Sequence, residues 1–201
     1  MASETEILNL ALSHVGVSKE VANIDTENSA SASAGRRFFK PARDETFRDF
    51  NWPFATEFGT LGLVETAPNT DWGYSYRYPS DCMRARKLLT GVRNSTREGR
   101  ASYKIASDAS GKLIFTDEAN AVLEYTRLVT DVGLFPQDYI MMLSLLLASY
   151  IAPRVTAGDP FKLGERAFKF YIDSKTKAEA TALNEQQDDR GADSEFITSR
   201  L

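Results

Sequence analysis

Residues 29–54 read SASASAGRRFFKPARDETFRDFNWPF, and this stretch decides how the chain begins to fold. At helical spacing, small and aromatic residues fall on one side and charged residues mostly on the other. The inner set is Ala34, Phe38, Phe39, Ala42, Thr46 and Phe50, and the outer set is Arg36, Arg37, Lys40, Arg43, Asp44 and Arg48. The pattern predicts an amphipathic helix whose charged side is solvated or, alternatively, forms a subunit contact.

Both ends of this helix have sequence signals. Asn28 or Ser29 offers an N-cap side chain, and Pro53 disfavours helical geometry at the residue before it. Pro41 lies inside the pattern, where its ring removes a backbone donor and crowds the carbonyl of Arg37. The sequence therefore predicts a kink at Pro41, or two short helices that meet end to end.

Composition bounds the class of protein. A chain of 201 residues, 42% hydrophobic and 26% charged, is globular and long enough for one core with an excursion from it. Its net charge of -4 opposes bulk attraction to nucleic acid. The charge is uneven, because residues 82–107 carry seven Arg or Lys and one acid, whereas residues 179–195 carry six acids and one Arg. Such a division is typical of surfaces with different partners.

Several features indicate a soluble protein made inside a cell, without a membrane partner. The single cysteine, Cys82, excludes an internal disulfide and suits a reducing compartment. The first residues, MASETEIL, are polar and acidic, unlike a signal peptide. The longest apolar run, residues 140–152, is shorter than the about 20 residues that span a bilayer.

Three more helices follow from periodicity and from proline positions. The first covers residues 5–15, before Gly16; the third begins at Pro136 and ends near Ile151, before Pro153. The third helix is apolar nearly all round, which is typical of the centre of a bundle. A fourth runs from Asp159-Pro160 to about residue 187, with one apolar stripe of Phe161, Gly164, Phe168, Tyr171, Ile172, Ala178 and Ala182.

Between helices 2 and 3 the spacing changes to that of strands. Strands are predicted at residues 61–66, 72–78, 82–92, 103–106, 112–115 and 121–130. The predicted fold class is α+β, a four-helix bundle (1–56 and 132–190) with a small, mostly antiparallel β insertion (57–131) between helices 2 and 3. Residues 191–201 lack periodicity and are predicted to be a mobile tail.

Catalytic signatures are missing from the sequence. His14 is the only histidine, and a lone cysteine far from it makes a zinc site or a Cys-His nucleophile improbable. Gly59 and Gly62 lack the lysine and the following helix of a phosphate loop. The prediction is a protein that is not an enzyme and has no metal or cofactor.

Partner-binding residues are predicted in two polar stretches. The loop RNSTREGR, residues 93–100, presents Arg93, Arg97 and Arg100, which suit DNA or an acidic protein surface. The last residues place Phe196, Ile197 and Arg200 in a polar segment that suits ordering on binding. The aromatic run of residues 72–78 favours core packing, with a base-stacking platform for single strands as the alternative.

Four collinear segments carry a resemblance to a known family. They are RRFFKPARDETFRDFNWPFA at 36–55, WGYSYRYPSDCMRARKL at 72–88, SGKLIFTDEANAVLEYTRLVTDVGLFPQ at 110–137 and DSEFITSRL at 193–201. In their order they resemble the tail tubular protein A family, the head-to-tail adaptors of short-tailed phages. The resemblance covers nearly the whole chain and rests on the order of motifs rather than on a catalytic signature.

The resemblance implies a structural virion protein of the phage tail, assembled in the host cytoplasm. It implies a dodecameric ring of this chain beneath the portal protein, with the tail nozzle, tubular protein B, as a second partner. Genomic DNA would pass through the lumen without sequence-specific binding. Two other classes stay open, a tail-associated peptidoglycan-degrading enzyme and a nucleic-acid-binding module.

Overall fold

The computed structural model describes residues 3–91 and 101–185 of the chain. These residues form four α-helices and seven β-strands. The helices are α1 (Glu4–His14), α2 (Ala30–Asp49), α3 (Gln137–Val155) and α4 (Leu163–Glu185). The strands are β1 (Thr56–Thr60), β2 (Leu63–Asn69), β3 (Trp72–Arg77), β4 (Cys82–Leu89), β5 (Tyr103–Asp108), β6 (Gly111–Thr116) and β7 (Val122–Arg127).

The predicted fold class, a four-helix bundle with a small insertion, is wrong. The strands form two antiparallel sheets, one of three strands in the order β1-β7-β4 and one of four in the order β2-β3-β6-β5, and both precede the two C-terminal helices. Residues 3–55 and 127–183 belong to a helical unit, and residues 56–126 belong to a β unit. A unit of seven strands is too large to be described as a small insertion into a helical domain.

The β unit has a hydrophobic core of its own, which explains why it is more than an insertion. Tyr76 and Ile114 from the four-stranded sheet pack with Leu88, Leu123 and Tyr125 from the three-stranded sheet. Tyr76 is 2% exposed, so the aromatic run of β3 contributes to this core. Two sheets that bury facing apolar side chains form a stable layer pair.

Strand β1 was absent from the sequence prediction. Its residues, TEFGT, contain a single large apolar side chain, Phe58, which is 58% exposed. The strand exists because it pairs with β7 along its whole length, from Thr56 opposite Thr126 to Thr60 opposite Val122. Pairing with a distant strand leaves no periodic signal in such a short segment.

Helix α2 confirms the amphipathic prediction at its start and corrects it in the middle. The Ser29 hydroxyl accepts the Ala32 N–H at 3.2 Å, and one continuous helix contains Pro41. Phe47 is fully buried, and Arg43, predicted on the solvated side, is only 5% exposed. Its guanidinium donates twice to Asp44, at 3.0 and 2.9 Å, which compensates the burial of the charge.

Helix α3 forms the centre of the helical unit, in contact with α1 and α2. Its middle is fully buried, at Leu143, Leu146, Leu147, Ala148, Ile151 and Ala152. By length and composition α3 could cross a membrane, but 61% of the apolar window is buried inside the protein, as in a core helix. The helix continues past Pro153, which was predicted to end it, and stops at Val155.

Candidate interaction surface

The partner-binding residues predicted from the sequence lie outside the described residues. They are Arg93, Arg97 and Arg100 in the basic loop, and Phe196, Ile197 and Arg200 in the tail. Their roles therefore stay predictions, and the candidate surface must be sought in the rest of the chain.

His14 has a structural environment rather than a catalytic one. Its Nε2 lies 3.1 Å from the hydroxyl of Ser144, a fully buried residue of α3. The Ser144 hydroxyl donates to the Met141 carbonyl at 2.8 Å, so it accepts from His14, and the imidazole is the donor. Burial lowers the pKa of His14, which favours the neutral ring. The pair ties the end of α1 to α3.

Cys82 lies half-buried at the start of β4, beside the Tyr78 hydroxyl. Burial raises the pKa of its thiol, which disfavours the nucleophilic thiolate. Burial also raises the pKa of the adjacent Tyr78 hydroxyl. Among residues 3–91 and 101–185, no group of three His, Cys, Asp or Glu side chains could hold a metal ion.

A surface cleft of the β unit is lined by two positively charged side chains, Arg77 and Lys112. It has a volume of about 600 Å³ and lies among the turns that precede β2, β4 and β6. Arg77 donates to both carboxylate oxygens of Asp108, at 2.9 and 3.0 Å. The Lys112 ammonium lies 5.3 Å from the centroid of the Tyr78 ring. Both positive charges at the cleft therefore have intramolecular partners.

Helix α4 is fixed to the helical unit along one narrow side. Gly164 allows close approach to α3, since a Cβ there would lie 3.0 Å from the Ala152 Cβ and 3.1 Å from the Ser149 carbonyl oxygen. Further along, Tyr171 and Lys175 donate to the Asp49 carboxylate at 3.2 and 2.7 Å. Burial and the Asp49 charge raise the pKa of Tyr171, so its hydroxyl stays protonated.

The remaining large apolar side chains of α4 and of the loop before it are exposed. We call this set the α4 apolar surface: Phe161 (81% exposed), Phe168 (45%), Phe170 (48%), Ile172 (46%) and Leu183 (58%). Phe168, Ile172 and Leu183 lie within about 60° of one another around the helix, whereas Phe170 lies on the other flank. Exposed apolar residues that share one side of a helix, as Phe168, Ile172 and Leu183 do, are typical of protein interaction sites.

The loop that presents Phe161 has an unusual backbone. Ala157, Asp159 and Lys162 have positive φ angles of 54°, 60° and 54°, and Gly158 has 93°. Left-handed geometry is disfavoured for residues other than glycine. The Asp159 carboxylate offsets part of this cost, since it accepts the N–H groups of Leu163 and Gly164 at 2.6 and 2.8 Å and so caps α4.

Sequence periodicity predicted one apolar stripe on α4, but its members Phe161, Phe168 and Ile172 are exposed. The buried residues are Gly164, Ala167, Tyr171, Ala178 and Ala182. Four of these five residues are small, because the helix lies close to its neighbours. The predicted stripe holds more large apolar side chains than one neighbouring helix can cover. This excess was the sequence feature that could have indicated an interaction surface.

Comparison with known proteins does not identify the chain. Neither the scan against protein-family models nor the search of curated proteins finds a match.

Proposed function

We propose that this chain is a structural virion protein, a head-to-tail adaptor that connects a portal to a tail nozzle. The observation that carries the proposal is the α4 apolar surface, with five large apolar side chains exposed on or just before one helix. A protein that assembles needs such surfaces, whereas an enzyme needs a cluster of reactive groups in a pocket. The resemblance of the four collinear segments supplies the particular role.

The proposed partners are further copies of this chain in a dodecameric ring, the portal protein and the nozzle, tubular protein B. DNA would pass through the ring without sequence-specific binding. Of the resembling segments, residues 36–55 supply most of α2, whereas 72–88 and 110–137 supply four of the strands and the entry to α3. The resemblance thus spans both units.

Binding to purified portal rings tests the proposal directly. The chain should co-sediment with portals, and electron microscopy should show a ring added beneath them. Phe161→Ser with Ile172→Ser should weaken co-sedimentation at least tenfold, because both side chains belong to the α4 apolar surface. Leu134→Ser is the matched control, since Leu134 is 52% exposed but lies off α4. Equal loss with the control would show that exposed apolar area alone matters.

The predicted basic loop and tail can be tested in the same assay. Serine at Arg93, Arg97 and Arg100, or deletion of residues 191–201, should weaken co-sedimentation while the melting curve of the free protein stays unchanged. If both variants bind portals as well as the parent protein does, these residues are not part of the interface.

Two further measurements separate the adaptor from the other classes. A zymogram that shows cleared peptidoglycan would replace the proposal with a hydrolase. DNA binding that weakens steeply as salt rises would favour a nucleic-acid-binding module, because counterion release drives such binding. Failure to bind portals, together with either result, would overturn the adaptor role.

A further inference from the structure

The four-stranded sheet ends in two edge strands. Its order places β2 at one edge and β5 at the other, with no described strand beyond either. Apolar side chains at both edges are exposed: Leu63 is 55% exposed, Val64 44% and Ile105 47%. The outer backbone groups of an edge strand are a template for pairing with another strand.

Strand directions make the two edges complementary to each other. Each neighbouring pair, β2 with β3, β3 with β6 and β6 with β5, is antiparallel. Four alternating strands leave β2 and β5 running in opposite directions. A second copy in the same orientation, displaced along the sheet, would therefore bring its β2 antiparallel to β5 of the first. Such head-to-tail contacts generate closed rings when the rotation between copies allows closure.

One register of this pairing places two opposite charges, those of Lys104 and Glu65, across from each other. Lys104 aligns with Phe115, Phe115 with Ser75, and Ser75 with Glu65, so Lys104 and Glu65 lie on the same face of the sheet. Both are exposed, and neither forms an ion pair with another described residue. Placing Glu65 opposite Lys104 therefore matches one charge pair, and opposite charges are a favourable cross-strand pair. Val64 lies in the irregularity between Leu63 and Glu65, so it is given no partner in this register.

We propose that copies of this chain associate head to tail by pairing β2 of one copy with β5 of the next, with Glu65 opposite Lys104. The biological role of this contact rests on the proposed adaptor ring. The contact itself needs no portal and can be measured in the free protein.

The pairing segment is short. Irregularities between Leu63 and Glu65 and between Thr66 and Asn69, a positive φ of 48° at Ala67, and Pro68 leave Glu65 and Thr66 as the regular part of β2. A contact of this length is weak in a single pair of copies. A ring repeats it between every two neighbours, which increases its effect through multivalency.

Cross-linking between separate copies tests the register. In a Cys82→Ser background, one preparation carries Glu65→Cys and a second carries Lys104→Cys. Residues directly opposite in an antiparallel pair have Cα atoms about 4.5–5.5 Å apart, within the range of a disulfide. With oxidised glutathione as the oxidant, the mixture at high protein concentration should form covalent dimers at least tenfold faster than either preparation alone.

The control shifts the register by one residue. Thr66→Cys replaces Glu65→Cys in the mixture, and a shift of one residue turns the side chain to the other face of the sheet. Slow cross-linking of this control supports the proposal. Equal rates for the two mixtures would overturn it, because random collision of exposed thiols would then explain the dimers.

Charge reversal tests the same contact without cysteines. Glu65→Lys or Lys104→Glu alone should reduce concentration-dependent association in sedimentation velocity about tenfold, and the two together should restore it. Loss without restoration in the double variant would overturn the proposal. Both residues are exposed, and circular-dichroism melts check that each variant is folded.

The two proposals fail in different ways. Register-specific cross-linking by a protein that does not bind portals would refute the adaptor role and keep the strand contact. If the protein binds portals but the two cysteine mixtures cross-link at equal rates, the strand contact is refuted and the adaptor role is kept.

Discussion

Truncation of Leu146 to alanine is the most direct test of the helical unit. Leu146 lies in the middle of α3 and is 0% exposed. The change removes about three buried carbon groups, worth about 2.4 kcal/mol at roughly 0.8 kcal/mol each. Because α1 and α2 both pack against α3, the space closes incompletely, and a cavity term of about 1–2 kcal/mol adds to the loss. The expected decrease in the free energy of unfolding is about 3–4.5 kcal/mol.

The measurement must report on the helical unit alone. The chain has two tryptophans, Trp52, buried in the helical unit, and Trp72, in β3 of the β unit. In a Trp72→Phe background, urea titration followed by fluorescence therefore reports on the surroundings of Trp52. Leu183→Ala is the control, since Leu183 is 58% exposed and its loss should cost under about 0.5 kcal/mol. If both variants unfold at the same urea concentration, α3 is not a buried core helix.

Two further changes probe contacts of α1 and α4. Gly164→Ala should destabilise the protein by about 1–3 kcal/mol, although alanine has the better helix propensity. The reason is that the alanine Cβ would lie 3.0 Å from the Asp159 carboxylate and 3.1 Å from the Ser149 carbonyl oxygen. A raised melting temperature would contradict this packing. Burial lowers the pKa of His14 in the folded state. As the pH falls below about 6.5, the unfolded chain therefore binds a proton that the folded chain lacks, and the free energy of unfolding decreases. Denaturant titrations between pH 7.5 and 5 should show a smaller decline for His14→Gln, which keeps an N–H donor, and an identical decline would mean that His14 does not contribute.

The sequence predicted individual elements well where local signals are strong. The Ser29 cap, the apolar α3 and the strands β3, β5 and β6 depend on side chains close in sequence, so spacing alone is informative. It failed at β1, whose formation depends on a partner strand more than 60 residues away. The number of sheets depends on such distant pairing too, which is why a small insertion was predicted in place of two antiparallel sheets.

The surface of the molecule was less predictable than its elements. Spacing determined that α4 is an amphipathic helix, but only tertiary packing decided that small residues such as Ala167 and Ala178 are buried while Phe168 and Ile172 stay exposed. Likewise, spacing placed Arg43 on a polar side, whereas its ion pair with Asp44 allows burial. The sequence determined which segments are helices and strands, because backbone preference and periodicity are local. Packing decided which faces are buried and which strand edges are left open, because both depend on contacts between residues far apart in the chain.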